Sequence, residues 1–340
     1  MFRKTVKLSL ILVYLVIIAG AVVRMTGSGM GCPDWPKCFG HFIPPTERAQ
    51  LEWHPNQNFH KGQVIIVNET LQVAIEEFTS GKKFNKTHWQ LYAKHDYAVF
   101  NATHTWVEYI NRLFGALAGL AVLIMAIFSF WKWKKNKKIT LLSWLSVFLM
   151  GFQAWLGATV VYSVLAPVRI TLHMVVALLI VALLLYILHL ASQKSSTKKY
   201  QSFFSKLLFF SVIVTLIQVI LGTEVRQFID EQIKSIGYQK ELWLQNPEIQ
   251  FYIHRSFSIL VFALNAFLWQ KNRQLHLGYR LLNWVMLFII LEILTGILMN
   301  YVDFPFASQA MHLVLASLLF GIQFYLVLQS RKAKIQLKKS

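Results

Sequence analysis

Long uncharged apolar runs alternate along the chain with short charged or polar breaks. Runs long enough to cross a hydrocarbon core of about 30 Å as helices of about 20 residues recur at 8–25, 104–131, 139–162, 168–191, 206–226, 251–270, 280–301 and 307–328. The pattern predicts eight transmembrane helices, and an even number returns the chain to its starting side. The longest break covers residues 26–103. Within it, segment 62–78 spaces its apolar residues as an amphipathic helix would, a candidate for lying on the membrane surface or capping the helices beside it.

The charges sort by break. Arg3, Lys4 and Lys7 at the N-terminal tip, the 132–138 loop, the 192–206 loop with Lys194, the 271–280 loop, and the tail with Lys338 and Lys339 hold twenty of the 34 basic residues. They hold none of the 15 acidic ones. By the positive-inside rule these segments are cytoplasmic, so the chain is expected N-in and C-in. Composition agrees, since 14% of the 340 residues are charged against about 25% in soluble domains. The net charge of +19 is therefore an orientation signal and needs no nucleic acid. A bacterial inner (plasma) membrane is the expected home. The small residues Ala19-Gly20-Ala21 fit a signal-peptide end only loosely, and residues just past them have counterparts later in the chain.

Those counterparts define a repeat. Gln153-Ala-Trp-Leu-Gly157 and His173 align at an offset of 139 with Glu292-Ile-Leu-Thr-Gly296 and His312. Tyr109-Ile-Asn-Arg112 aligns with Tyr252-Ile-His-Arg255, and Gly20-Ala-Val-Val-Arg24 with Gly222-Thr-Glu-Val-Arg226. The expected fold is an all-α integral membrane protein with eight transmembrane helices arranged as two pseudo-symmetric four-helix bundles, residues 1–193 and 200–335. The first half carries the long outer loop 26–103.

Ionisable and polar residues inside spans are costly and are functional candidates. His254 opens the sixth span and His312 lies about one turn into the eighth, at similar depth in the outer half, between what are read as antiparallel neighbours. Such a pair suits two axial ligands on one heme iron; the plainer alternative is two interfacial histidines. His173 occupies the slot of His312 in the first half. There Asn111 stands where the second half has His254, and Glu108 where it has Phe251. On a helix, His104, Glu108 and Asn111 fall within about 60° of one another. At these slots one half thus offers two histidines and no acid, as an electron-transfer site would. The other offers one histidine, an amide and a carboxylate, as an open, reactive site would. Arg112, Arg255, Arg24 and Arg226 lie near the outer surface, as partners for heme propionates or as interfacial anchors. Glu108 can equally serve only to balance Arg112. Cys32 and Cys38, the only cysteines, lie in the outer loop, where oxidising conditions allow a disulfide; their spacing leaves a structural or a redox role open.

The run Gly20-Ala-Val-Val-Arg-Met-Thr-Gly-Ser-Gly-Met-Gly-Cys-Pro-Asp-Trp-Pro-Lys-Cys38, followed by Glu108-Tyr-Ile-Asn-Arg112, His173, Ile253-His-Arg255 and His312, resembles the heme A synthase family over essentially the whole chain. The resemblance implies an oxidoreductase that converts heme O to heme A, oxidising one ring methyl to a formyl group for terminal oxidases. It also implies heme b on His254 and His312, substrate heme O in the first half near His173, and Glu108 as the essential carboxylate. Heme O synthase, terminal-oxidase assembly proteins and a second copy of the chain are the candidate partners. Two departures stand out. The family commonly has histidine where this chain has Asn111, and some relatives carry a second cysteine pair where residues 227–250 here have none. The competing readings are a transmembrane b-type cytochrome and a non-catalytic heme carrier or oxidase assembly factor.

Overall fold

Each apolar run becomes a helix, and side chains or backbone at its ends satisfy groups the helix leaves free. A computed structural model describes residues 1–192 and 197–337; Lys194, Lys338 and Lys339 lie outside the described residues. The helices are α1 Phe2–Met25, α2 Ala102–Ser129, α3 Lys137–Tyr162, α4 Pro167–Leu190, α5 Ser202–Ile236, α6 Ile249–Gln274, α7 Leu282–Tyr301 and α8 Ser308–Leu337. All eight are long and apolar enough to cross a membrane. Asn101 accepts from the His104 N–H at 3.1 Å ahead of α2, and Asn136 from the Lys138 N–H at 3.2 Å ahead of α3. Proline opens α4, where its missing N–H costs nothing, and Gly237 ends α5 at a φ of 71°. Leu117, Phe148, Trp155, Ile259 and Leu287 are exposed on the helix surfaces. In water such a surface would drive aggregation; in hydrocarbon it is the solvated face.

The chain divides into two compact units. The first comprises Met1–Tyr14, Leu120–Met150 and the described residues of Met174–Ser340. Within it α5 packs on α6 and α8, and α7 packs on α6 and α8. The four helices thus form a ring in which α6 and α8 are diagonal. Phe204, Leu208, Val261, Val285, Ile289 and Leu319 fill its core, with Leu178 and Ala182 of α4 packed against them. Gln323 of α8 donates to the Asn265 side-chain oxygen Oδ1 at 3.0 Å, a fully buried link across that diagonal. Tyr14 donates to the Ser317 carbonyl at 3.4 Å and lies against Gly321, where any Cβ would overlap its hydroxyl.

The second unit comprises Leu15–Gly119 and Gly151–His173. Its long loop folds into a small β lobe, which among the described residues departs from an otherwise helical chain. The strands are β1 Asn58–Phe59, β2 Val64–Val67, β3 Thr70–Ala74, β4 Phe78–Thr79 and β5 Trp89–Leu91. They form an antiparallel β2-β3-β5 sheet and a separate β1-β4 pair. Segment 62–78 is therefore a hairpin and not the amphipathic helix its spacing suggested. Val64 and Ile66 pack into a cluster with Cys32, Cys38, Phe39 and Leu51, while Ile65 packs on the opposite face with Phe59 and Trp89. A strand buried on both faces reads as a continuous apolar run, and periodicity alone cannot tell that run from a helical stretch. The decisive local feature is the two-residue turn Asn68-Glu69, with φ of 48° and 56° between the paired Val67 and Thr70. Left-handed backbone at both positions matches the twist of a tight hairpin.

Gly40 closes this lobe at a φ of 77°, where a Cβ would overlap Gly62 O and Gln63 Cα. Gly40→Ala is expected to cost more than the ~1–2 kcal/mol of a left-handed alanine alone. Gly81→Ala, with open space around it, is expected to be neutral. Protease resistance of the lobe in the solubilised protein checks the contrast; equal resistance in both variants would contradict it.

Candidate functional site

Two histidines face one another inside the α5–α8 ring. His254 lies in the second turn of α6 and His312 in the second turn of α8, with ring centroids 6.3 Å apart and planes at 68°. Their helices are diagonal in the ring and not the neighbours expected from the sequence. Each imidazole lies against a glycine of the preceding helix. A Cβ on Gly222 of α5 would stand 3.1 Å from His254 Cε1, and one on Gly296 of α7 would stand 4.0 Å from His312 Cε1. Gln218 donates to the His254 backbone carbonyl at 3.0 Å.

The geometry fits a metal held between the rings. A metal bonded to one nitrogen of each ring at about 2.0–2.1 Å would leave the centroids roughly 6 Å apart. Among the described residues, no group of three or more His, Cys, Asp or Glu side chains is placed to hold a metal ion. Two imidazoles alone leave an ion under-coordinated, so the pair suits an iron whose remaining ligands come from a macrocycle.

In the second unit, a Cβ on Gly157 of α3 would stand 3.4 Å from His173 Cε1, and Gln153 donates to the His173 carbonyl at 2.9 Å. Asn111 Oδ1 of α2 lies 3.8 Å from the same construction on Gly20 of α1. At each of these helix pairs a glycine faces the polar residue of the following helix. The buried His173 Nδ1, His254 Nδ1 and Asn111 Oδ1 have no hydrogen-bond partner. Such orphaned polar atoms are unusual inside a protein and mark places where something else is accommodated. The glycines entered the sequence reading only as repeat markers. Their packing role was legible in the spacing, since Gln153, Gln218 and Glu292 each precede a glycine by one turn.

Glu108 is buried in the second turn of α2. It accepts from Arg112 Nη2 at 2.5 Å and from the Cys32 N–H at 2.9 Å. Arg112 also donates to the backbone carbonyls of Asp34 at 2.7 Å, Lys37 at 2.9 Å and Cys32 at 3.3 Å. Thr105, on the same face, donates to Gly31 O at 2.8 Å. The Cys32–Cys38 disulfide is formed. The Asp34 carboxylate folds back inside this loop, accepting from the Phe39 and Gly40 N–H groups at 2.5 and 2.7 Å. Burial pushes the Asp34 pKa up, while those two N–H bonds and the Arg112 charge pull it back. Gly31 lets the loop approach α2, because a Cβ there would overlap the His104 carbonyl. The disulfide loop is thus clamped to α2 through Thr105, Glu108 and Arg112. Thr105, Asp34 and Gly31 were not singled out from the sequence, since nothing local announces which helix a loop will dock against.

The remaining arginines are placed as follows. Arg24 lies in the last turn of α1, half-buried. Arg226 pairs with Asp230 at 2.9 Å, and Arg255 lies over the rings of Phe251 and Tyr252 at 5.7 and 5.4 Å.

Spanning helices, interior histidines and a clamped carboxylate define a multi-pass membrane protein whose polar groups converge on interior sites. Residues 3–324 match the COX15-CtaA family, described as cytochrome oxidase assembly protein, and the chain belongs to that family. It is 27% identical to a heme A synthase of Bartonella tribocorum over 336 residues, covering 89% of this chain and 85% of the relative. It is 23% identical to heme A synthases of Wolbachia pipientis wMel, at 95% and 90% coverage, and of Alkalihalophilus pseudofirmus, at 93% and 93%.

Arg112→Met removes the guanidinium bonds of the clamp and leaves the buried Glu108 with the Cys32 N–H but no cation. The expected loss is about 3–5 kcal/mol, as for breaking a buried pair. Backbone hydrogen exchange across residues 31–40 should then accelerate. Unchanged protection there would show that the guanidinium bonds do not hold the loop.

Proposed function

We propose that the chain is a heme A synthase: a membrane oxidoreductase that takes heme O as substrate and oxidises one ring methyl to a formyl group for use in terminal oxidases. The observation that carries this reading is the Glu108 carboxylate, held at a fixed place on α2 by Arg112 and the Cys32 amide. The names of the relatives support it.

In this reading the two four-helix halves, 1–193 and 200–335, have different tasks. Substrate heme O is taken by the first half, with His173 offered to its iron and Asn111 on the opposing helix slot. Glu108 accepts a proton from a water molecule and directs that water to the oxidised methyl carbon. Overall, methyl plus water gives formyl, four protons and four electrons; the electrons leave in two two-electron steps, through the alcohol and the hydrated aldehyde, to an electron acceptor outside this chain. Arg112 keeps Glu108 oriented, because its other donors are anchored on loop carbonyls. In the second half His254 and His312 would hold heme b, which supplies a one-electron redox group. Arg24, Arg226 and Arg255 are the cationic partners for propionates of the two macrocycles. The protein sits in the inner (plasma) membrane with both termini cytoplasmic and the β lobe outside. Heme O synthase and oxidase assembly proteins deliver substrate and receive product, and a second copy of the chain is a further candidate partner.

The clamp itself favours one other reading, in which Glu108 is only a structural counter-ion and the chain a heme carrier or b-type cytochrome. Co-expression with a heme O source in a host lacking heme A decides between them. Extracted heme should show the red-shifted hemochrome and mass of a formyl heme. Glu108→Gln keeps an oxygen for the Cys32 amide and should abolish the formyl product while leaving the bound heme b spectrum. Full formyl-heme production by that variant would sink the catalytic assignment.

A further inference from the structure

Glu292 of α7 has no part in the activity above, yet it is half-buried and touches a candidate ligand. Its Oε2 lies 2.9 Å from His312 Nδ1. Thr295 Oγ1 lies 2.8 Å from the same nitrogen and also within 3.0 Å of the Leu291 and Glu292 backbone carbonyls. A hydroxyl has one proton. Placed on either carbonyl, that proton makes Thr295 an acceptor toward His312, so both groups around Nδ1 are acceptors. In that arrangement the imidazole hydrogen sits on Nδ1, and Nε2 keeps its lone pair.

The other slots differ. Gln153 and Gln218 stand one turn before Gly157 and Gly222, as Glu292 stands before Gly296. Both glutamines direct an amide N–H to the backbone carbonyl of the histidine they face, His173 and His254. Nδ1 of those two histidines has no hydrogen-bond partner. A carboxylate cannot donate to a carbonyl. With glutamate at this slot, the contact moves from the histidine backbone to its ring.

We propose that Glu292 is a positioning residue that fixes His312 in the Nδ1-protonated tautomer and strengthens it as a ligand, so that the two axial ligands of heme b are unequal and its reduction potential is lowered. The inference rests on the reading that His254 and His312 bind heme b. A hydrogen bond from a ligating imidazole to a carboxylate raises the basicity of the ligand. A more basic ligand favours the oxidised iron, and axial ligands with their hydrogen bonds are among the main settings of heme potential. His254, bonded only through its backbone, supplies the ordinary imidazole opposite.

The test uses the full-length heme-loaded protein, purified as wild type, Glu292→Gln and Glu292→Asp. The readouts are heme content, redox titration and low-temperature electron paramagnetic resonance. Glu292→Gln is expected to keep its heme and shift the reduction equilibrium upward by about tenfold, ~59 mV for one electron, with altered g-values. Glu292→Asp should stay near wild type. Loss of heme in the Gln variant with retention at wild-type potential in the Asp variant would support the same role, because only the carboxylate rescues. A wild-type potential and spectrum in Glu292→Gln overturns the proposal, as does heme loss in both variants. A His312→Ala protein that keeps the bis-imidazole spectrum would instead overturn the underlying heme b assignment, so the two failures are distinguishable.

Discussion

Hydrocarbon offers no hydrogen bonds, and the arrangement of the spanning helices and their polar groups follows from that. The chain can cross the membrane only as helices that close their own backbone bonds, and any polar side chain inside must find a partner within the protein. Most do. Gln323 meets Asn265, Tyr14 meets the Ser317 carbonyl, and Glu108 meets Arg112 and the Cys32 amide. His173 Nδ1, His254 Nδ1 and Asn111 Oδ1 do not. In such a solvent the exceptions are as informative as the rule, because an unsatisfied buried group costs about 1–3 kcal/mol or more unless a ligand or water repays it.

Close helix approach makes those exceptions possible. At Gly20, Gly157, Gly222 and Gly296 a Cβ would come within about the van der Waals distance of the facing polar residue. Small residues at helix contacts let backbones approach where larger ones would hold them apart. The residue one turn before the glycine then decides how the histidine is held. Gln153 and Gln218 grip a backbone carbonyl, whereas Glu292 reaches the ring of His312. One exchange of amide for carboxylate separates a histidine fixed by its main chain from one whose ring is tuned.

The outer loop obeys a different solvent. Its β lobe builds two small apolar clusters on the two faces of β2, and the disulfide loop beneath docks on α2 through charge-assisted bonds that Arg112 fans out to several carbonyls. A guanidinium suits this task because its planar fork presents several donors in fixed directions. The same clamp that anchors the loop also determines where the Glu108 carboxylate points, so loop position and carboxylate orientation share one set of bonds.

The spans, the basic breaks and the candidate polar residues were all legible in the sequence, because a helix in lipid is dictated by a local run of apolar residues and loop charge acts segment by segment. The offsets that join Gly157 to Gly296 and His173 to His312 were equally local patterns. Tertiary structure alone decided the rest. Segment 62–78 became a hairpin because, beyond its tight Asn68-Glu69 turn, residues from elsewhere in the loop bury both faces of β2. The diagonal placement of His254 and His312 came from the order in which α5 to α8 pack. The clamp of Glu108 on the disulfide loop came from Gly31 and Arg112, 81 residues apart in numbering, meeting in space. Local hydrophobicity specifies elements, but which polar group meets which is set by long-range packing, and that is where the candidate chemistry of this protein resides.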